Sequence, residues 1–142
     1  MDTGGGILNM INNSQENDFI IFNPDTLWSK KYLSEIKKMI DIYINKKLNN
    51  ILLLVNKELS FDKNLNGDFG IENHLINMNK KNFIYTGCQI LNRSIFDNKK
   101  TQFPVNDVWT DLIKSKQLNG LESKIKFFHV TNLDIFKKLE DL

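Results

Sequence analysis

The sequence predicts an α/β fold: an open sheet whose strands alternate with amphipathic helices that cover both faces. Three observations predict it. Phe19 to Asn23 and Ile51 to Val55 are short, near-continuous apolar runs, the pattern of strands buried on both sides. Between them, Leu33, Ile36, Ile40, Tyr43, Ile44 and Leu48 recur at three- and four-residue spacing from Lys30 to Leu48, an amphipathic helix. The order strand, helix, strand then implies a parallel pair joined by a right-handed crossover.

The other elements follow in order. Ile7, Leu8, Met10 and Ile11 form a short helical pattern after three glycines, and Pro24 ends the first apolar run. Asn64-Leu65-Asn66-Gly67-Asp68 carries turn chemistry, and the asparagines around residues 77–82 mark another loop. Phe83 to Leu91 reads as a strand, Asn106 to Lys116 as a helix and Lys124 to Val130 as a strand with large apolar residues. Leu133, Phe136, Leu139 and Leu142 give a closing helix. No internal repeat and no proline-rich or Gly/Ser-rich linker divides the chain, so residues 1–142 read as a single domain.

A length of 142 residues suffices to bury a core without disulfide or metal staples. The chain has a single cysteine, Cys88, no signal-peptide pattern and no apolar run approaching the roughly 18 to 20 residues that cross a bilayer. These features predict a cytoplasmic protein without membrane association. The net charge of +2 does not imply a nucleic-acid partner. Arg93 is the only arginine, the lysines are dispersed among acids, and alanine is absent, a pattern of compositional bias rather than of a basic binding face.

Several residues could carry chemistry. In open α/β sheets the crevice lies beyond the carboxyl ends of the strands. Asp25, in Asn23-Pro24-Asp25, takes that place, where a carboxylate either holds a hard cation such as Mg²⁺ or merely shapes the turn. Thr3, Gly4 and Gly5 precede a helical pattern, so their backbone N–H groups can approach a ligand, unless they are a flexible tail. Gly87, in Tyr85-Thr86-Gly87, interrupts a strand and marks either a close approach or a bulge. His129 closes Phe127-Phe128-His129, beside a polar turn, as a metal or phosphate-water ligand or as a hydrogen-bonded structural residue. Cys88 has no neighbouring positive charge and reads as a core residue.

Taken in order, these segments resemble a family. Asp2-Thr3-Gly4-Gly5-Gly6-Ile7, Phe19 to Trp28, Gly67-Asp68-Phe69, Tyr85 to Ile90, Phe103-Pro104-Val105-Asn106 with Trp109, and Phe128-His129-Val130 run in the order of bacterial sugar-1-phosphate nucleotidyltransferases. The resemblance is to the N-acetylmuramate-1-phosphate uridylyltransferase and mannose-1-phosphate guanylyltransferase types, and it covers essentially the whole chain. It implies a Rossmann-like sheet with Mg²⁺ as cofactor. Asp25 would be the metal-binding catalytic aspartate, and Thr3, Gly4 and Gly5 the loop against the nucleotide base. Gly67, Thr86 and Gly87 would line the sugar pocket. His129 stands where many members carry a second metal-binding aspartate, followed by a turn that Thr131-Asn132-Leu133 does not match.

The implied reaction joins a sugar-1-phosphate to the α-phosphate of a nucleoside triphosphate and releases pyrophosphate. The protein supplies alignment and charge compensation rather than a nucleophile. The resemblance also implies that an N-terminal strand and a glycine-rich, triphosphate-holding loop are missing: either the sequence is a fragment, or a separate chain completes the site. The alternative is a non-catalytic relict or a sugar-nucleotide-binding module. A sheet so truncated would leave an apolar edge, which predicts self-association.

Overall fold

The computed structural model describes residues 3–96 and 105–142. The elements are α1 (Thr3–Asn12), β1 (Asp18–Phe22), α2 (Tyr32–Asn45), β2 (Asn50–Asn56), β3 (Gly70–Glu72), β4 (Leu75–Asn77), β5 (Phe83–Asn92), α3 (Val105–Lys114), β6 (Gly120–Ser123) and α4 (Leu133–Glu140). The Phe103-Pro104 half of one resemblance motif lies outside the described residues.

β2 is the core of the sheet. Its residues Ile51 to Val55 are all fully buried, because alternate side chains enter two different clusters. Ile51 and Leu53 join Tyr32, Met39 and Tyr43 of α2 on one face. Leu52 and Leu54 meet Trp109 of α3 on the other, and α1 packs beside α3 through Ile7, Leu8 and Ile11. Helices therefore cover both faces, as the continuous apolar runs predict. Each large side chain buried this way contributes about 1.5–3 kcal/mol relative to exposure.

The sheet order is β1-β5-β2-β6. β5 is antiparallel to both β1 and β2, whereas β2 and β6 are parallel. This corrects the expectation of a parallel β1/β2 pair: the two strands run the same way, but β5 lies between them. A crossover helix constrains direction, not adjacency, and the long β5 supplies apolar residues to both neighbours. Among the described residues no strand pairs with the outer side of β1, where Ile20 and Phe22 are 41% and 45% exposed.

A second correction concerns the last strand. The ladder partner of β2 is Gly120–Ser123, not Lys124 to Val130. The start of β6 is clamped by Asn50, buried in the sheet, whose Nδ2 donates to the Gln117 carbonyl (2.8 Å) and whose Oδ1 accepts from Asn119 N–H (2.9 Å). The later segment touches other segments through single bridges, Ser60 to Phe127 and Thr26 to His129. Its apolar residues Ile125 and Phe127 pack into clusters without forming a ladder. The β3–β4 hairpin, too short for a periodicity signal, folds against β6 through Ile76 N–H to the Leu118 carbonyl (2.9 Å) and Gly120 N–H to the His74 carbonyl (2.9 Å).

Candidate functional site

The turn after β1 is held from three directions. Asn23 N–H donates to the Gly87 carbonyl (2.8 Å) and the Trp28 indole N–H donates to the Asn23 carbonyl (3.0 Å). Val130 N–H donates to the Asp25 carbonyl and Leu27 N–H to the Phe128 carbonyl, both at 2.9 Å. Asp25 is thus a fixed point at the carboxyl end of β1, with an exposed side chain that forms no ion pair among the described residues. The two backbone bonds flank Thr26 and His129, which face each other as a bridge pair.

β5 supplies the wall opposite. Its pairing with β2 slips between Leu52 and Leu54, opposite Gln89 and Tyr85 respectively. Thr86 fills the slip. It is 1% exposed, and its hydroxyl donates to the Leu53 carbonyl (2.8 Å) while accepting from Cys88 N–H (3.3 Å). The Thr86 side chain is therefore occupied within the sheet, and the Thr86 carbonyl accepts the Thr26 hydroxyl at 2.7 Å. Gly87 adopts φ +97°, and a Cβ there would lie 2.7 Å from Asn23 Cβ. Glycine is required on both counts, and the unbroken approach of β5 to the Asn23 turn depends on it.

Gly67 belongs to a neighbouring wall. A Cβ on it would fall 1.9 Å from the Lys81 carbonyl oxygen, so the loop before β3 closes on the loop before β5 only with glycine. The next residue, Asp68, accepts the Tyr85 backbone N–H at 3.0 Å through Oδ2. Gly67 and Thr86-Gly87, distant in sequence, are in this way drawn to the same region.

Between Asp68, Phe69, Met78, Tyr85, Trp109 and Lys114 lies a cavity of about 490 Å³. Its aromatic rings meet edge to face: Tyr85 and Trp109 are 4.9 Å apart between ring centroids and Phe69 and Trp109 are 5.7 Å apart. Among the described residues the buried Tyr85 hydroxyl meets no partner at full hydrogen-bonding distance, though the Gln89 side chain acts on it, and burial pushes its pKa well up, so it stays a neutral donor. Sequence reading missed this cavity. Trp109 and Tyr85 each look like core residues on a periodic element, and only the hairpin's return past β5 leaves space between them. Asp62, also missed, is 5% exposed and accepts the Thr131 hydroxyl at 2.8 Å, tying down the chain just after His129.

Thr3, Gly4 and Gly5 form the first turn of α1 rather than a loop before it. Cys88 is buried, and burial pushes its thiol up to about 12, in keeping with a core role. No three His, Cys, Asp or Glu side chains gather as a metal cage among the described residues. Mg²⁺ does not require one, since it commonly binds through one or two carboxylates while keeping waters and phosphate oxygens. An exposed Asp25 with no ion pair among the described residues fits that manner of binding.

No protein-family profile matches the chain, and no curated protein matches its sequence. Solved structures do share its fold. An apo UDP-glucose pyrophosphorylase superposes with a TM-score of 0.71 at 18% identity, over 99% of this chain and 59% of that one. The inositol-1-phosphate CTP transferase from T. maritima gives 0.70 at 9% identity, over 98% and 61%. HddC from Yersinia pseudotuberculosis gives 0.66 at 19% identity, over 96% and 60%. The chain thus has the mixed α/β fold found in sugar-phosphate nucleotidyltransferases and spans about 60% of the length of these neighbours. No helix among the described residues is long and apolar enough to cross a membrane.

Proposed function

We propose that the chain forms the sugar-phosphate and metal-binding part of a sugar-1-phosphate nucleotidyltransferase site and works with a segment that holds the nucleoside triphosphate. The observation that carries this is the position of Asp25, exposed at the end of β1 and without an ion pair among the described residues, in a turn bonded directly to Gly87 of β5.

In the reaction, a phosphate oxygen of the sugar-1-phosphate attacks the α-phosphorus of the triphosphate. A new P–O bond forms, the α–β bridging bond breaks, and pyrophosphate leaves with the electron pair. Asp25 would hold Mg²⁺, which offsets the repulsion between the two phosphate groups. Gly87 keeps the Asn23 turn close to β5, which holds the Asp25 backbone at the end of β1. Tyr85, Trp109 and Phe69 would take the apolar face of the sugar, and the buried Tyr85 hydroxyl would donate to one of its oxygens. His129 would sit at the same mouth as the second metal-directed group. Thr3, Gly4 and Gly5, at the start of α1, would face the nucleotide base.

Support comes from the fold of the neighbours, one of which was solved with UDP-glucose. The test is pyrophosphate release from a sugar-1-phosphate and UTP by the chain mixed with a polypeptide carrying a glycine-rich triphosphate loop. Release that requires both polypeptides and Mg²⁺ is expected. No release from the mixture, with Asp25→Asn leaving every binding signal unchanged, would remove the reading.

A second reading, sugar-nucleotide binding without turnover, is favoured by one observation: Asp68, Phe69, Tyr85 and Trp109 of this chain together line the aromatic cavity. Calorimetry with a UDP-sugar on the chain alone tests it. Binding heat without pyrophosphate chemistry in any mixture would favour the module over the enzyme.

A further inference from the structure

We infer that Thr26 is a positioning residue that sets the tautomer of His129, placing the proton on Nδ1 and leaving Nε2 as a lone-pair acceptor. Thr26 is 3% exposed, and its hydroxyl has a single proton. That proton goes to the Thr86 carbonyl, 2.7 Å away, which can only accept. The Thr26 oxygen therefore faces His129 Nδ1, at 3.4 Å, with lone pairs alone. A ring nitrogen opposite a lone pair is favourable only as N–H. The relay runs from His129 Nδ1–H to Thr26 Oγ1–H to the Thr86 carbonyl, and neutral His129 carries its free lone pair on Nε2.

Two further contacts hold the ring in that position. Its plane stacks on Phe127, with centroids 5.7 Å apart and 13° between planes. Thr26 and His129 form the non-hydrogen-bonded pair of their two-strand bridge, flanked by the Val130–Asp25 and Leu27–Phe128 bonds. Side chains stand closer in such pairs than in bonded ones. The arrangement opposes the intrinsic preference of a free imidazole, which in water carries its proton mainly on Nε2. A protein that orients a ligating histidine does so by giving the other nitrogen an acceptor, and Thr26 provides it. This role rests on the reading of the Asp25 mouth as a cation and phosphate site. There Nε2 would accept from a water held by the cation, in keeping with the preference of Mg²⁺ for oxygen in its own shell.

The test is ¹⁵N spectroscopy of the full chain with labelled histidine, above the pH at which the ring is neutral. In the native chain the Nδ1 resonance of His129 should fall in the protonated range and that of Nε2 in the unprotonated range. Thr26→Val should lose this pattern and revert towards the Nε2–H form, while Thr26→Ser should keep it. A native chain with the proton on Nε2, or a folded Thr26→Val with the native pattern, overturns the inference. Mn²⁺ added with a UDP-sugar separates it from the reading beneath. Broadening of Nε2 in the native chain and its loss in Thr26→Val are expected. An undisturbed Nε2 with the Nδ1–H pattern intact would remove His129 from the metal site and leave the relay standing.

Discussion

Gly87 and Asn23 touch backbone to side chain: Asn23 Cβ occupies the space where a Cβ on Gly87 would begin, at 2.7 Å, while the Gly87 carbonyl accepts the Asn23 N–H. The end of β1, and with it Asp25, is therefore seated on a position of β5 with φ +97°. Gly87→Ala pays twice, in backbone strain and in contact. A loss of about 1–3 kcal/mol is expected from the strain alone, read by chemical denaturation. Unchanged stability would mean that the turn is not seated on β5.

Asp25→Asn should behave differently. The side chain is exposed and unpaired among the described residues, so stability should stay within about 0.5 kcal/mol of the parent. Divalent-cation binding, followed by calorimetry or by Mn²⁺ relaxation, should fall sharply. A destabilised chain with normal cation binding would make Asp25 a turn residue only.

Tyr85→Phe separates fold from ligand. A buried hydroxyl without a partner costs the folded chain about 1–3 kcal/mol, and Tyr85 meets none at full distance among the described residues, so removing its hydroxyl should leave stability equal or higher. If the cavity takes a sugar, affinity for a sugar-1-phosphate or UDP-sugar should fall about 5- to 10-fold, the weight of one hydrogen bond. Thermal unfolding and calorimetry on the same preparation give both numbers. A variant that unfolds more easily would mean that the hydroxyl has a partner in the native state.

Tyr32 predicts an alkaline limit. Its phenol, 2% exposed, is pushed up to about 12 from 10.0, first by burial and then by the negative charge of Glu35. Below pH 10 the phenol is neutral in both folded and unfolded chains and adds no pH dependence. Above it the unfolded chain loses the proton first, so stability should fall as pH rises from about 10 to about 12. Denaturation across that range should show the decline, and Tyr32→Phe should flatten part of it.

The outer edge of β1 carries Ile20, beside the exposed Ile44 of α2, and Phe22, without a lysine or proline in the strand to discourage pairing. Concentration-dependent association is expected in light scattering, and Ile20→Lys should reduce it. A parent chain that stays monomeric at high concentration would show that the edge is covered.

Much of this architecture is legible in the residues. α2, β2, β5, α3 and α4 announce themselves because burying a stripe or a continuous run writes a period into the chain. Asp25 was legible too, since an apolar run stopped by Pro24 locates the end of a strand. Strand order was not. The placing of β5 between β1 and β2, and the choice of Gly120–Ser123 over the more apolar stretch after it, depend on pairing partners far away in sequence. Periodicity records which side chains are buried but not which backbone bonds to which. The same holds for the site. A glycine, a threonine and a histidine can each be noticed alone, whereas the relay from His129 through Thr26 to Thr86 exists only where three separate segments close to hydrogen-bonding distance.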